Sequence, residues 1–390
     1  MSRSWYTESS YRKDSHSAAS AGWKIFFRED MMTKASDTYQ LRGKIIKNRM
    51  TFAPTVKFDY AGPDGKVTDK HITHYKERAE GGIGLICVEA TAVLPGGRFG
   101  ENHLGLWNDD QIEGHKAITK ACHDHDVVCI IQLNHVGIGA NPICGEPIGP
   151  SAVPARSGGT AHAMTVAEIH EMEDAFTAAA VRAKAAGYDG IQLHGCHSYL
   201  INQFVCPKTN LRTDAYGGSP ENRARFGAEI IRKIREACGE DFIISIRTVG
   251  ADPSLEDEIL VAEEYLKAGV DFLQVSMGIE LPEEAIMKEE NAYGFLCALG
   301  VHFHEHFKDR VPVSCIGGIL DPEKVHYLLN NDLVDFVDLA RAELADPAFP
   351  RAVLEGTPYV HCFECKRCQY GPGTAHRCPA ALKREKLAKE

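Results

Sequence analysis

Eight short apolar runs between residues 50 and 342 constrain the fold of this chain more than any other feature. They are 50–56, 84–91, 127–133, 190–195, 242–249, 272–278, 311–318 and 336–342. Each is rich in Val, Ile and Leu and apolar almost throughout instead of alternating, the pattern of strands buried on both faces of a parallel sheet. Amphipathic stretches lie between them. In one, Ser219 is placed to cap a helix and Pro220 to occupy its first position. Phe226, Ile230 and Ile234 then recur every fourth residue, and Gly239 stops the helix. Residues 175–186 read as a second, Ala-rich helix ending at Gly187. Eight strand–helix repeats predict a (β/α)8 TIM barrel. A doubly wound sheet would show Gly-x-Gly-x-x-Gly after an early strand, and none is there.

On this reading residues 36–360 are the barrel. Residues 1–35, polar and Ser-rich, are an N-terminal extension without sustained periodicity. Residues 361–390 are a Cys-rich C-terminal loop with a charged, helix-prone end. The apolar and charged fractions, 44% and 25%, are those of an ordinary globular chain. A net charge of −11 argues against nucleic acid or an anionic membrane as partner. No apolar run approaches the roughly 18–20 residues of a membrane helix, and the first residues lack the apolar core of a secretory signal. Of 13 cysteines, several sit inside apolar runs (Cys87, Cys129, Cys315), as reduced, buried side chains do. The expected location is therefore the cytoplasm.

Barrel enzymes build their sites at the C-terminal ends of the strands. The fourth run ends in His194-Gly-Cys-His197-Ser-Tyr199. Imidazoles can hydrogen-bond a substrate oxygen and a phenol can deliver a proton, which suits reduction and protonation of a polarised double bond. A lone histidine pair fits a satisfied core or loop equally well; the other strand ends decide. Gln132 and Arg247 end the third and fifth strands, where an amide and a guanidinium can meet the edge of a heterocycle. Gly317-Gly318 and Ala340-Arg341 end the seventh and eighth, where barrels hold phosphate. Cys362-x2-Cys365-x2-Cys368-x9-Cys378 is a ligand pattern for zinc or iron–sulfur, and the tight triple with a distant fourth favours 4Fe–4S. A metal-dependent barrel hydrolase needs three or more ligands from several strands, which these ends do not offer. A ligand-binding protein without turnover would keep only the phosphate site.

One block, HGCHSYLINQFVCPKTNLRTDAYGGSPENRARF over residues 194–226, resembles the old yellow enzyme family of FMN-dependent, NAD(P)H-using ene-reductases. The resemblance runs from about residue 40 to residue 350. It also includes GGIGLICVEATAV, PSAVP and VDLARAELADP. It implies that His194 and His197 hold the substrate's carbonyl or nitro oxygen and that Tyr199 gives the proton. It assigns Gln132 and Arg247 to the polar edge of FMN and Ala53, Pro54, Thr55, Val56 and Ala90 to the ring's surroundings. Gly317, Gly318, Ala340 and Arg341 go to its phosphate. NAD(P)H is the implied co-substrate and a small electrophilic alkene the implied partner, with the chain alone or as a homo-oligomer. Where the family has Thr or Cys near the end of strand 1, this chain has Val56, which removes a donor to the flavin. The Cys-rich tail resembles that of the trimethylamine dehydrogenase and 2,4-dienoyl-CoA reductase branch, so amine dehydrogenation or demethylation is the alternative activity.

Overall fold

A computed structural model describes residues 33–280, 284–288, 291–366, 368, 370 and 378–389. The expected extension lies, up to residue 32, outside the described residues. All eight apolar runs become strands: β1 Met50–Phe52, β2 Leu85–Ala92, β3 Val128–Asn134, β4 Gly190–His194, β5 Ile243–Val249, β6 Phe272–Ser276, β7 Val313–Ile316 and β8 Phe336–Leu339. Each pairs in parallel with its neighbour, and β8 closes on β1 through Val337↔Met50 and Leu339↔Phe52. The sheet is thus a closed eight-stranded parallel barrel with no free edge. The strands are nearly all buried, as their unbroken apolar sequences require.

Some strands are shorter than their apolar runs. β1 stops at Phe52 while residues 53–57 continue as a loop over the barrel mouth, and β8 stops at Leu339 where a one-turn helix, Arg341–Ala345, begins. Apolarity there marks burial under the top of the barrel, not ladder hydrogen bonds.

The principal outer helices are α1 Asp69–Glu80, α2 Ile112–His123, α3 Val166–Ala185, α4 Pro220–Cys238, α5 Leu255–Ala268, α6 Phe295–Phe307, α7 Pro322–Asn330 and α8 Phe349–Glu355. α4 follows the sequence reading closely. Ser219 Oγ accepts from Asn222 N, Pro220 is the first residue, and Gly239 ends the helix at φ 81°. Phe226, Ile230 and Ile234 are fully buried, each contributing about 1.5–3 kcal/mol of burial. α3 starts well before residue 175, at a capping box in which Thr165 accepts from Glu168 N and Glu168 returns a bond to Thr165 N.

A hairpin of Tyr39–Leu41 and Lys44–Ile46, absent from the sequence reading, plugs the bottom of the barrel. Its Leu41 and Ile46 pack with Leu85, Ile243, Phe272 and Phe336. Among the described residues no helix is long and apolar enough to cross a membrane.

Candidate functional site

β4 delivers His194 as its last residue, and the chain then turns sharply. His197 and Ser198 both adopt left-handed backbone angles, φ 58° and 66°, rare for residues with a Cβ and held only by surrounding contacts. One such contact is His197 N donating to Met277 O at 3.0 Å. The turn aims the His197 ring back at His194, whose Nε2 lies 3.2 Å from His197 Nδ1. Tyr199 caps the short helix Leu200–Val205. Its ring stands edge-on to His194 at 4.6 Å and 6.5 Å from His197. Phe99, from the loop after β2, covers Tyr199 at 5.0 Å. The structure therefore brings together the two imidazoles and the phenol that the sequence singled out.

Neighbouring strand ends complete the cluster. Ser276, the last residue of β6, sits 2.9 Å from His197 Nε2 and accepts from Arg247 Nη2 at 3.2 Å. Burial, and then the Arg247 charge, hold the His197 imidazole well below its usual pKa; burial, His197 and Arg247 do the same for His194. Both rings are neutral near pH 7, so each carries a single N–H to donate. Gln132 on β3 donates to Gln192 Oε1 at 2.8 Å. Below it, Asp338 accepts from Ser314 Oγ at 2.6 Å and from Thr51, and burial pushes its carboxyl up to about 6.

Three buried residues at the strand ends keep polar atoms with no hydrogen-bond partner: Arg247 Nε, His194 Nδ1 and both amide atoms of Asn134. Leaving such groups unpaired costs about 1–3 kcal/mol each. A flat ligand with donors and acceptors along one edge relieves that cost, so these residues fit a flavin ring.

The residues expected at a phosphate end follow β7 and β8. Gly317 and Gly318, after β7, take φ 137° and 59°, conformations favoured by glycine. Lys324 Nζ, which the sequence reading missed, donates to the carbonyls of both at 3.0 and 3.2 Å. Arg341 is exposed at the start of its short helix and Ala340 is the cap residue before it. The flank of the ring site is apolar: Ala53 and Ala90 are buried, Pro54, Thr55 and Val56 half-buried. Ala90 O is held by His103 Nε2 at 2.6 Å.

Lys57, two residues past Thr55, stands at a polar strand end to which the sequence reading gave no role. A lysine in a strand-end loop reads as surface, yet this one is 1% exposed. Its Nζ donates to Thr55 Oγ1 at 3.0 Å and its backbone N to Glu89 Oε2 at 2.6 Å. Burial pushes Glu89 up to about 7 and the lysine down. The Tyr370 ring of the C-terminal segment lies 4.6 Å from that Nζ. Tyr370 thus packs against the loop after β1.

Of the tail cysteines, Cys365 and Cys368 are exposed and Cys362 and Cys378 half-buried. The Cys362 thiol is raised by burial, and Arg341 and the Cys368 and Cys378 sulfurs are near enough to act on it. Among the described residues no three of the four bring their sulfurs within 4.8 Å of one another. Tetrahedral zinc with Zn–S bonds of about 2.3 Å needs sulfurs roughly 3.8 Å apart.

The comparisons with known proteins agree with this fold. The profile of the NADH:flavin oxidoreductase / NADH oxidase family matches residues 39–359. The chain belongs to this family, that of old yellow enzyme. An NADPH dehydrogenase of Halalkalibacterium halodurans is 37% identical over 329 residues, covering 83% of this chain and 95% of that protein. Morphinone reductase in complex with tetrahydroNAD superposes with a TM-score of 0.74 at 26% identity, over 88% of this chain and 96% of that one. A 2-naphthoyl-CoA reductase with 2-naphthoyl-CoA reaches a TM-score of 0.79 at 25% identity over 88% of this chain, which spans only 57% of that longer protein. As a family member the protein is an NAD(P)H-dependent flavin oxidoreductase with FMN as its cofactor. His194, Cys196 and His197 also place a nitrogen, a sulfur and a nitrogen within 4.8 Å of one another.

Proposed function

We propose that the protein is an ene-reductase, reducing the activated C=C bond of α,β-unsaturated carbonyl compounds at the expense of NAD(P)H. The observation that carries this reading is the group at the end of β4: two neutral imidazoles 3.2 Å apart with a phenol edge-on to one of them. When bound, FMN supplies hydride transfer between the nicotinamide and the alkene. Gln132 and Arg247 would hold its polar edge, with Ala53, Pro54, Thr55, Val56 and Ala90 along its flank. Gly317, Gly318, Ala340 and Arg341 would hold its phosphate.

The chain's own residues do the rest. A carbonyl oxygen arriving between His194 and His197 replaces a contact in which only one ring can donate by two donated hydrogen bonds. Those bonds strengthen as charge builds on the oxygen. Arg247 and Ser276 keep His197 oriented. Tyr199 gives its proton to the α-carbon and recovers one from solvent, to which it is partly open.

The test follows the colour of the purified flavoprotein. NADPH bleaches it and cyclohexenone restores it; Tyr199→Phe leaves the bleaching rate unchanged and slows the recolouring. If cyclohexenone fails to recolour the wild type while a simple amine bleaches it without nicotinamide, amine dehydrogenation replaces this reading.

The tail cysteines are assigned by the same proposal to a 4Fe–4S cluster. Four thiolates in a tight triple with a distant fourth favour it. Iron, sulfide and zinc analysis after anaerobic purification decides between the two metals. The free cysteines buried within the barrel suit a reducing cytoplasm.

A further inference from the structure

A second cluster of ligand-type side chains, outside the site described above, joins the loops after β4, β5 and β6. Cys206 closes the Leu200–Val205 helix, Asp252 follows β5, and Glu280 follows β6. One ligand atom from each lies within 4.8 Å of the other two. Cys206 and Asp252 are both 0% exposed.

Asp252 is anchored through one oxygen only. Its Oδ2 accepts from Asn202 Nδ2 at 3.0 Å and Ile279 N at 2.7 Å. Its buried Oδ1 has no hydrogen-bond partner, and the Cys206 thiol is near enough to act on the carboxyl group. Behind it, Glu258 of α5 is 0% exposed with neither carboxylate oxygen hydrogen-bonded, near enough to Asp252 for the two to repel. Burial pushes the Glu258 carboxyl well up, and two cations lie nearby. Arg223 is committed to Asp257 at 2.5 Å, and Lys208, its side chain 70% exposed, pairs with Glu280 from the solvent side. Asp252, Glu280 and the Cys206 thiol therefore share one exposed ammonium, that of Lys208.

We propose that Cys206, Asp252 and Glu280 bind one divalent cation of the zinc class. A thiolate with two carboxylates selects a borderline-soft ion over magnesium or calcium. Metal–ligand bonds of about 2.0–2.3 Å put tetrahedral ligand atoms roughly 3.3–3.8 Å apart, so closure from 4.8 Å needs only a small movement of each. The thiol loses its proton to solvent, Lys208 swings away from Glu280, and water takes the remaining position. The cation would staple three loops at the barrel mouth. One of them is the β6 loop, whose Met277 carbonyl fixes His197.

The test uses the full-length flavoprotein carrying Cys362→Ser, Cys365→Ser, Cys368→Ser and Cys378→Ser, so that the tail binds no metal. Equilibrium dialysis against zinc should give one ion per chain. Cobalt should produce a thiolate-to-metal absorption that disappears in Cys206→Ser. Asp252→Asn should weaken zinc at least tenfold. Glu280→Gln, at the half-exposed edge and safe for folding, should weaken it at least threefold. Lys208→Ala, which removes the competing ammonium, should tighten it. Failure of the tail-free protein to take up stoichiometric zinc overturns the proposal, as does undiminished binding in Cys206→Ser and Glu280→Gln. Neither outcome bears on the alkene-reduction reading.

Discussion

Ser276→Ala isolates the contribution of the β6 strand end to the chemistry proposed at β4. The change removes one oxygen that sits 2.9 Å from His197 Nε2 and 3.2 Å from Arg247 Nη2. At 3% exposure the site admits no easy replacement by water. A buried group stripped of its partner costs about 1–3 kcal/mol. Arg247 has further donors with which to compensate, whereas His197 Nε2 loses its only fixed partner, so most of the penalty falls on the orientation of the imidazole. If about 1.4–3 kcal/mol of that is missing from the transition state, alkene reduction slows about 10- to 150-fold. The assay is stopped-flow reoxidation of the NADPH-reduced protein by cyclohexenone, with flavin content, flavin potential and melting temperature as controls. Ser276→Thr, which keeps the hydroxyl, should restore most of the rate. Reoxidation within twofold of wild type in Ser276→Ala, at normal flavin content, would refute the positioning role.

Three further outcomes are expected. Val56→Thr restores a donor at the ring's flank and shifts the FMN reduction potential, which a spectroelectrochemical titration reads. His115 is pushed down to about 4 by burial, although it meets Tyr188 Oη at 2.8 Å and Gly105 O at 3.1 Å. The unfolded chain binds this proton near pH 6.5 and the folded one does not, so the stability of the buried neutral ring is present above pH 6.5 and is lost as pH falls towards 4. In His115→Gln, urea melts should therefore show an acid limb shallower by about 1.4 kcal/mol per pH unit. In Gly190→Ala the new Cβ would overlap the carbonyl oxygen of Ile243 on the adjoining strand. The overpacking costs about 1–3 kcal/mol, and flavin fluorescence should report release at lower urea.

The barrel was legible because a parallel strand covered on both faces leaves an uninterrupted apolar run, and each of the eight runs is one strand. Helix α4 was legible because its cap, first proline and buried stripe are local. The start of α3 carried an equally local signal in Thr165 and Glu168, and Ile169, Met172 and Phe176 continue its buried stripe, but only the Ala-rich half was read as helix. Ser276, Lys57 and the bottom hairpin were out of reach for another reason. Ser276 is one polar residue at the end of an apolar run, and its role exists only because the barrel sets β6 beside β5 and within reach of the loop after β4. Lys57 owes its burial to Glu89 and to Tyr370, which lies far along the chain. Residues that the topology makes neighbours leave no periodicity behind.

The sharp bend at positions 197 and 198 bears on how freely this corner can vary. Glycine there would relax the main chain and leave a firmer molecule, but at 197 it would delete the ring that the bend exists to point. A branched side chain at 198 would aggravate the discomfort without improving the aim. Robustness and activity thus pull in opposite directions over two adjacent residues, and the range of tolerated replacements should be narrower than an exposed surface turn would suggest.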